Sequence, residues 1–215
     1  MAARGLLLDI GGVLIRTPFE LLELAERRRG LPAGALGPRG IFDLAADPEF
    51  REVRDGALGE RAYWARRAER AAAVLGTAPD TRSFMHVLYD LEEHAIVRPE
   101  VVDLAADARA AGIPVGLLTN DLVDFHGDDW VARISVFHTV DVLVDGSITG
   151  DLKPAPAAFR HAIDALGIPP AEIVFVDDQP VNVAGARAVG LQVIELDVTD
   201  PAPAVAHART ALALP

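Results

Sequence analysis

Residues 6–18 read LLLDIGGVLIRTP, from Leu6 to Pro18. Three leucines run straight into a lone aspartate, Asp9, and two glycines follow, Gly11 and Gly12. An unbroken apolar run suits a strand buried on both faces, the signature of a parallel sheet covered by helices. A carboxylate is costly inside such a sheet. At the strand's carboxyl end it is well placed, because open α/β sheets bind their ligands there. The glycine pair permits a tight turn directly after the acid, since glycine tolerates a positive φ.

The rest of the chain supplies the other strands. Gly5–Asp9 (GLLLD), Ile113–Asn120 (IPVGLLTN), Ile173–Asp178 (IVFVDD) and Leu191–Leu196 (LQVIEL) are short apolar runs ending at small or polar residues, and Val140–Val144 adds a further short one. Helical patterns separate the later runs. They cover Glu100–Ala111, Ala155–Leu166 and Val181–Val189, and each stops at a glycine: Gly112, Gly167 or Gly190. Strand and helix alternating at this length imply right-handed crossovers. The expected fold class is α/β, a doubly wound Rossmann-like parallel sheet core with an all-helical cap insertion. The insertion is read from residues 18–94, where helical spacing recurs at Phe19–Arg29, Arg61–Leu75 and Thr81–Glu93. One crossover does not need so much chain. The core then comprises residues 1–17 and 95–215, with a last surface helix in the Ala-rich Pro201–Pro215.

Composition narrows the function. The 215 residues are half hydrophobic and carry a net charge of −12. Phosphate backbones and anionic membrane surfaces repel such a chain, so neither nucleic acid nor a membrane is an expected partner. No apolar run reaches membrane-spanning length, and Leu6–Leu8 is too short for a signal peptide. The expected setting is the cytoplasm, as a monomer or homodimer. Cysteine is absent, which excludes disulfides and thiolate metal sites. The chain has 19 arginines and one lysine, Lys153. A compact ammonium, which a planar guanidinium cannot replace in a tight site, explains such an exception.

The polar residues at the strand ends form a set. They are Asp9, Thr119-Asn120 and Asp177-Asp178, with Lys153 in the loop DLKPAP ahead of a helix. Carboxylates suit Mg²⁺, a hard cation that takes oxygen ligands. A carboxylate beside a cation can attack phosphorus, while a hydroxyl, backbone N–H groups and an ammonium hold the phosphoryl oxygens.

These residues carry a resemblance to a known family. DIGGVL at Asp9–Leu14, LLTN at Leu117–Asn120, LKP at Leu152–Pro154 and FVDDQPVN at Phe175–Asn182 resemble, in order, the four motifs of the haloacid dehalogenase superfamily. Thr119 lies 110 positions after Asp9, which leaves room for a cap inserted after the first motif. Lys153 lies 34 after Thr119, which leaves none at the alternative cap site. The resemblance implies a Mg²⁺-dependent phosphatase acting on a small phosphorylated substrate, sugar phosphates among them. It implies Asp9 as nucleophile, forming an aspartyl-phosphate. It further implies that Asp9, the Gly11 carbonyl, Asp178 and Asp177 hold the metal. Thr119 and the Asn120 backbone would bind phosphoryl oxygens, Lys153 would neutralise charge, and Asn182 would orient Asp178 or cap the next helix.

Most phosphatases of the family carry a second aspartate two residues after the nucleophile, as proton donor and later as base. Here that position is Gly11. Three readings stay open. The first is a phosphatase whose proton comes from water, substrate or another side chain such as Asp121. The second is a 2-haloacid dehalogenase, whose halide leaves without a proton, although those enzymes use no metal and lack the paired acids. The third is a weakly active or inactive binding protein. A phosphonate hydrolase would need a cap lysine, and this cap has none.

In the insertion, EVRDGALGERAYW at Glu52–Trp64 resembles the cap loop that faces the active site, which makes Arg54 and Gly56 substrate-binding candidates. Arg16, with Thr17, is placed at the entrance. Tyr63, Trp64 and Phe84 read as cap core, Arg27–Arg29 as a solvated helix end, and His86, His94 and His126 as surface or loop positions, with His126, which follows the second motif, also a pocket-lining candidate.

Overall fold

The computed structural model describes residues 3–215. Five strands, β1 (Gly5–Leu8), β2 (Val115–Thr119), β3 (Val142–Asp145), β4 (Ile173–Asp177) and β5 (Gln192–Glu195), form one sheet in the order β3-β2-β1-β4-β5. Every pairing is parallel, in a register that sets Leu8 beside both Leu117 and Val176. The helices are α1 (Pro18–Arg28), α2 (Pro48–Arg54), α3 (Glu60–Leu75), α4 (Thr81–Leu88), α5 (Glu93–Ile96), α6 (Pro99–Ala110), α7 (Leu122–His126), α8 (Asp128–Arg133), α9 (Gly146–Thr149), α10 (Pro156–Leu166), α11 (Pro180–Ala188) and α12 (Ala202–Ala211). Among the described residues, no helix is long and apolar enough to cross a membrane.

The chain divides into two compact units, one built from the residues through Arg16 together with Glu93–Pro215, the other from Thr17–Glu92. In the first, α10 and α11 pack on one face of the sheet, while α6 and α12 pack on the other. Leu7, Leu118, Phe159, Ala162, Phe175 and Ala186 are buried between the sheet and the first helix pair, with Phe159 and Phe175 edge to face at 5.7 Å. Burial on both faces is why β1, β2 and β4 are apolar throughout rather than alternating. The expected doubly wound α/β architecture is therefore what forms. Its strand order reverses between β1 and β4, so the ligand crevice opens beyond their carboxyl ends.

The second unit is helical. Phe19, Phe50, Tyr63, Trp64 and Phe84 stack into its core with ring centroids 4.7–6.5 Å apart. Arg67 is buried beside them. Its guanidinium donates to the Tyr63 hydroxyl at 2.6 Å and to the Pro38 and Leu36 carbonyls at 2.9 and 2.8 Å, and it pairs with Asp47 at 3.4 Å. Tyr63 in turn donates to Asp47 at 2.6 Å. Burial raises the Tyr63 phenol above its ordinary value, so it stays a donor.

Two expectations are corrected here. The helix read over Thr81–Glu93 ends at Leu88, and Glu93 starts the separate α5. Glu93 accepts from the Ser135 and Val136 amides at 2.9 and 3.1 Å. Thr17 is the N-cap of α1, in a reciprocal capping box with Glu20. His126 is buried and stacks on Trp130 at 4.1 Å, so it is no surface histidine. In the turn after Asp9, Gly12 takes a positive φ of 82°.

Candidate active site

The site begins where β1 stops. Asp9 follows Leu8, and its amide donates to the Val176 carbonyl at 2.9 Å, continuing the ladder to β4 by one residue. Asp177 ends β4 on the neighbouring strand, and Thr119 ends β2 on the other side. Parallel pairing alone thus gathers three of the expected residues at one edge of the sheet. All three are buried.

Lys153 joins them from the loop before α10. Its Nζ lies 2.7 Å from Asp9 Oδ1 and 2.8 Å from Asp177 Oδ2, and the residue is 5% exposed. Burial disfavours its charge, but the two carboxylates more than offset this and hold the ammonium protonated, above its ordinary range. The nearby Phe175 ring face, 5.6 Å away, adds to the same effect.

Asp9 Oδ1 also accepts from the Ile10 amide at 2.6 Å. Burial nonetheless pushes the Asp9 carboxyl up to about 7. Lys153 pulls it down, the negative charge of Asp177 pushes it up, and the Ile10 N–H pulls it down again. One ammonium therefore does not fully neutralise this group of acids.

Asp177 and Asp178, adjacent in sequence, have different surroundings. Asp177 is fully buried, and its oxygens accept from Lys153 Nζ, from the Gln179 amide at 2.8 Å and from Asn182 Nδ2 at 3.1 and 3.2 Å. Asn182 therefore orients Asp177, not Asp178 as expected. Asp178 is half-buried and faces the turn after Asp9, where a methyl group at Gly12 would sit 2.6 Å from its Oδ2. Only glycine fits there, by φ and by space.

A cation fits this geometry. One oxygen from each of Asp9, Asp177 and Asp178 lies within 4.8 Å of the others. Two oxygens facing each other across a small hard cation at about 2.1 Å stand about 4.2 Å apart, so the three carboxylates can converge on one ion. Such an ion would supply the positive charge that Lys153 leaves lacking. Asp177 is already held by three donors, with Lys153 Nζ among them.

Two features lie outside the sequence reading. The Asn120 side chain accepts from the Lys153 amide at 2.7 Å and donates to the Lys153 carbonyl at 3.1 Å. Arg98, buried just ahead of α6, donates to the Gly12 carbonyl at 3.0 Å and to the Val198 carbonyl at 3.4 Å. It ties the turn after β1 to the loop after β5. A buried arginine before a helix-starting proline has no sequence signature, so Arg98 was not foreseeable. Gly11 is exposed, and a β-carbon there would meet nothing within 4 Å. Arg16 is half-buried, with its amide donating to Ile96 at 2.8 Å. Arg54 ends α2 and Gly56 follows at φ 74°, both exposed on the helical unit.

Comparison with known proteins agrees with this fold. The model of the haloacid dehalogenase-like hydrolases matches residues 3–190. Mouse acyl-CoA dehydrogenase family member 10 is 24% identical over 212 residues, 99% of this chain but 19% of that protein. Phosphoserine phosphatase of Thermus thermophilus is 32% identical over 124 residues, 57% of this chain and 49% of that protein. The chain thus spans half or less of the length of these two relatives. Phosphoglycolate phosphatase of Yersinia pseudotuberculosis is 27% identical over 203 residues, covering 91% of this chain and 81% of that one. Among solved structures, the HAD-hydrolase YfnB of Bacillus subtilis, solved bound to magnesium, shares the fold with a TM-score of 0.65 at 14% identity, covering 91% and 87% of the two chains. With the family model matched from the first strand through the last site motif, the chain belongs to the haloacid dehalogenase-like hydrolases.

Proposed function

We propose that this protein is a Mg²⁺-dependent phosphatase of small phosphorylated metabolites, sugar phosphates among them, working through an aspartyl-phosphate on Asp9. The observation that carries the reading is the convergence of the Asp9, Asp177 and Asp178 carboxylates, with the buried Lys153 paired to Asp9 and Asp177. Two relatives of this chain are phosphoserine and phosphoglycolate phosphatases by name, which supports the reaction class.

Mg²⁺ would be held by Asp9, the Gly11 carbonyl and Asp178, with Asp177 behind them. When bound, it supplies positive charge that keeps Asp9 ionised and offsets the charge of the phosphoryl oxygens. In the first step an Asp9 carboxylate oxygen forms a bond to phosphorus while the bond from phosphorus to the alcohol oxygen breaks. The alcohol leaves with the electron pair and takes a proton. In the second step water attacks the same phosphorus, the bond to Asp9 breaks, inorganic phosphate leaves and Asp9 is restored. Thr119 and the Asn120 backbone hold the phosphoryl oxygens, and Lys153 offsets their charge. With glycine at position 11, the departing oxygen takes its proton from water or substrate, which favours good leaving groups. Arg54, Gly56 and Arg16 are assigned to the rest of the substrate, and the helical unit is the specificity cap. The setting proposed is the cytoplasm, as a monomer or homodimer.

The test is hydrolysis of a panel of phosphate monoesters with Mg²⁺ and with chelator, for the wild type and Asp9→Asn. The proposal expects turnover that needs both Mg²⁺ and Asp9. Turnover that survives Asp9→Asn would refute the mechanism, and metal-free chloride release from a 2-haloacid would replace it.

A further inference from the structure

Lys153 is held at both ends. Its ammonium bridges Asp9 and Asp177, and its main chain is gripped by the Asn120 side chain, 33 positions earlier. The grip uses both halves of the amide. Oδ1 accepts from the Lys153 N–H at 2.7 Å and Nδ2 donates to the Lys153 carbonyl at 3.1 Å, as one peptide group pairs with another. This complementarity selects asparagine. Aspartate keeps the acceptor and loses the donor, and a hydrophobic residue loses both. The grip also has work to do. A lysine has four rotatable side-chain bonds, so the ammonium stays between two carboxylates only if its α-carbon is fixed. The loop around Lys153 has little ladder pairing of its own and instead relies on the end of β2.

We infer that Asn120, through its side chain, is the positioning residue for Lys153: it couples the carboxyl end of β2 to the ammonium that offsets charge at Asp9. This rests on the phosphatase reading for its consequence, but not for its geometry. Asn120 touches Lys153 here, and its effect on chemistry passes through that lysine.

Two measurements separate the claims. Hydrogen exchange at the Lys153 amide, read in the purified full chain without any substrate, tests the grip. Asn120→Ala is expected to speed exchange there roughly tenfold, the loss of about one net hydrogen bond, while amides in the middle of β1 and β4 keep their rates. Unchanged exchange at Lys153 would overturn the inference, whether or not the protein is a phosphatase. The second measurement is a double-mutant cycle on hydrolysis of p-nitrophenyl phosphate. Asn120→Ala is expected to lower kcat by about tenfold with KM little changed, and to cost nothing further in a Lys153→Ala background. An equal loss in both backgrounds would overturn it, because a purely structural role does not depend on the lysine. If Asn120→Ala does not fold, the similarly sized Asn120→Leu, which lacks both the acceptor and the donor, replaces it in both measurements, with the same expected direction at the Lys153 amide. If the wild type hydrolyses no phosphate ester, the functional reading fails and the exchange result still decides the grip.

Discussion

Replacing Gly11 by aspartate separates the two glycines that follow the proposed nucleophile. A β-carbon at Gly11 meets no heavy atom within 4 Å, the position is exposed, and its φ lies outside the left-handed region. Gly11→Asp therefore folds, with stability unchanged or raised by up to about 1 kcal/mol through the stiffer unfolded chain. Its effect should be chemical. A general acid is worth roughly 10²–10⁴-fold where the leaving oxygen needs a proton, and little where it does not. The assay is kcat/KM with Mg²⁺ across aryl and alkyl phosphates of increasing leaving-group pKa. The wild type should fall steeply along the series. Gly11→Asp should flatten the slope, raising alkyl phosphates by about 10²-fold or more while leaving p-nitrophenyl phosphate nearly unchanged. Parallel slopes for the two proteins would refute the idea that Gly11 marks a missing proton donor. Gly12→Ala is the control. Its β-carbon would lie 2.6 Å from Asp178 Oδ2 at a φ of 82°. The left-handed backbone alone costs about 1–2 kcal/mol, and Asp178 must move. Lower stability and a higher Mg²⁺ requirement should appear together.

Two further predictions concern buried charge. In the metal-free chain the Asp9 carboxyl sits at about 7 instead of 3.8, so the folded state keeps a proton that the unfolded chain releases. Stability is therefore full below pH 4, falls as the pH rises to 7, and is level above; at about 1.36 kcal/mol per unit the ceiling is about 4 kcal/mol. Asp9→Asn has no such proton, so in chelator its melting temperature should match wild type near pH 4 and exceed it at pH 8; parallel pH dependences would contradict the burial argument. In the helical unit, Arg67→Ala leaves Asp47 buried without its cation, where both side chains are 3% exposed. Breaking a buried pair costs roughly 3–5 kcal/mol, and urea unfolding that shifts by less than about 1 kcal/mol would contradict the network described for Arg67.

Much of the core was legible because its signals are local. Leu6–Leu8, Val115–Leu118 and Ile173–Val176 are apolar without alternation, and double burial is the reason. Gly112 and Gly167 take the left-handed φ that ends a helix. The short helices α7 to α9 were not legible, because they depend on tertiary caps. The buried Asp145 carboxylate accepts from the Val123 amide at 2.8 Å and from the Ser147 amide at 2.9 Å, and so serves two of them at once. Within the site, the strand-end residues could be named from their place in the pattern, but their partners could not. Asn182 was expected beside Asp178 and binds Asp177, since the turn at Gln179 decides which carboxylate faces the helix. Which of the two glycines lacks room for a side chain was not legible either, because Asp178, far along the chain, is what crowds Gly12. Arg98 and the Asn120 side chain act on backbone carbonyls and amides, and sequence patterns do not display those.

The most direct test of the central claim is to catch the intermediate. Wild type with Mg²⁺ and a phosphate ester is quenched in acid within the first turnovers, and the peptide containing Asp9 is weighed by mass spectrometry. The account predicts a phosphoryl group on Asp9 that builds up in the burst, disappears when substrate is exhausted, and is absent from Asp9→Asn. Steady hydrolysis with Asp9 unmodified at every quench time, or a phosphoryl group on another residue, would contradict it.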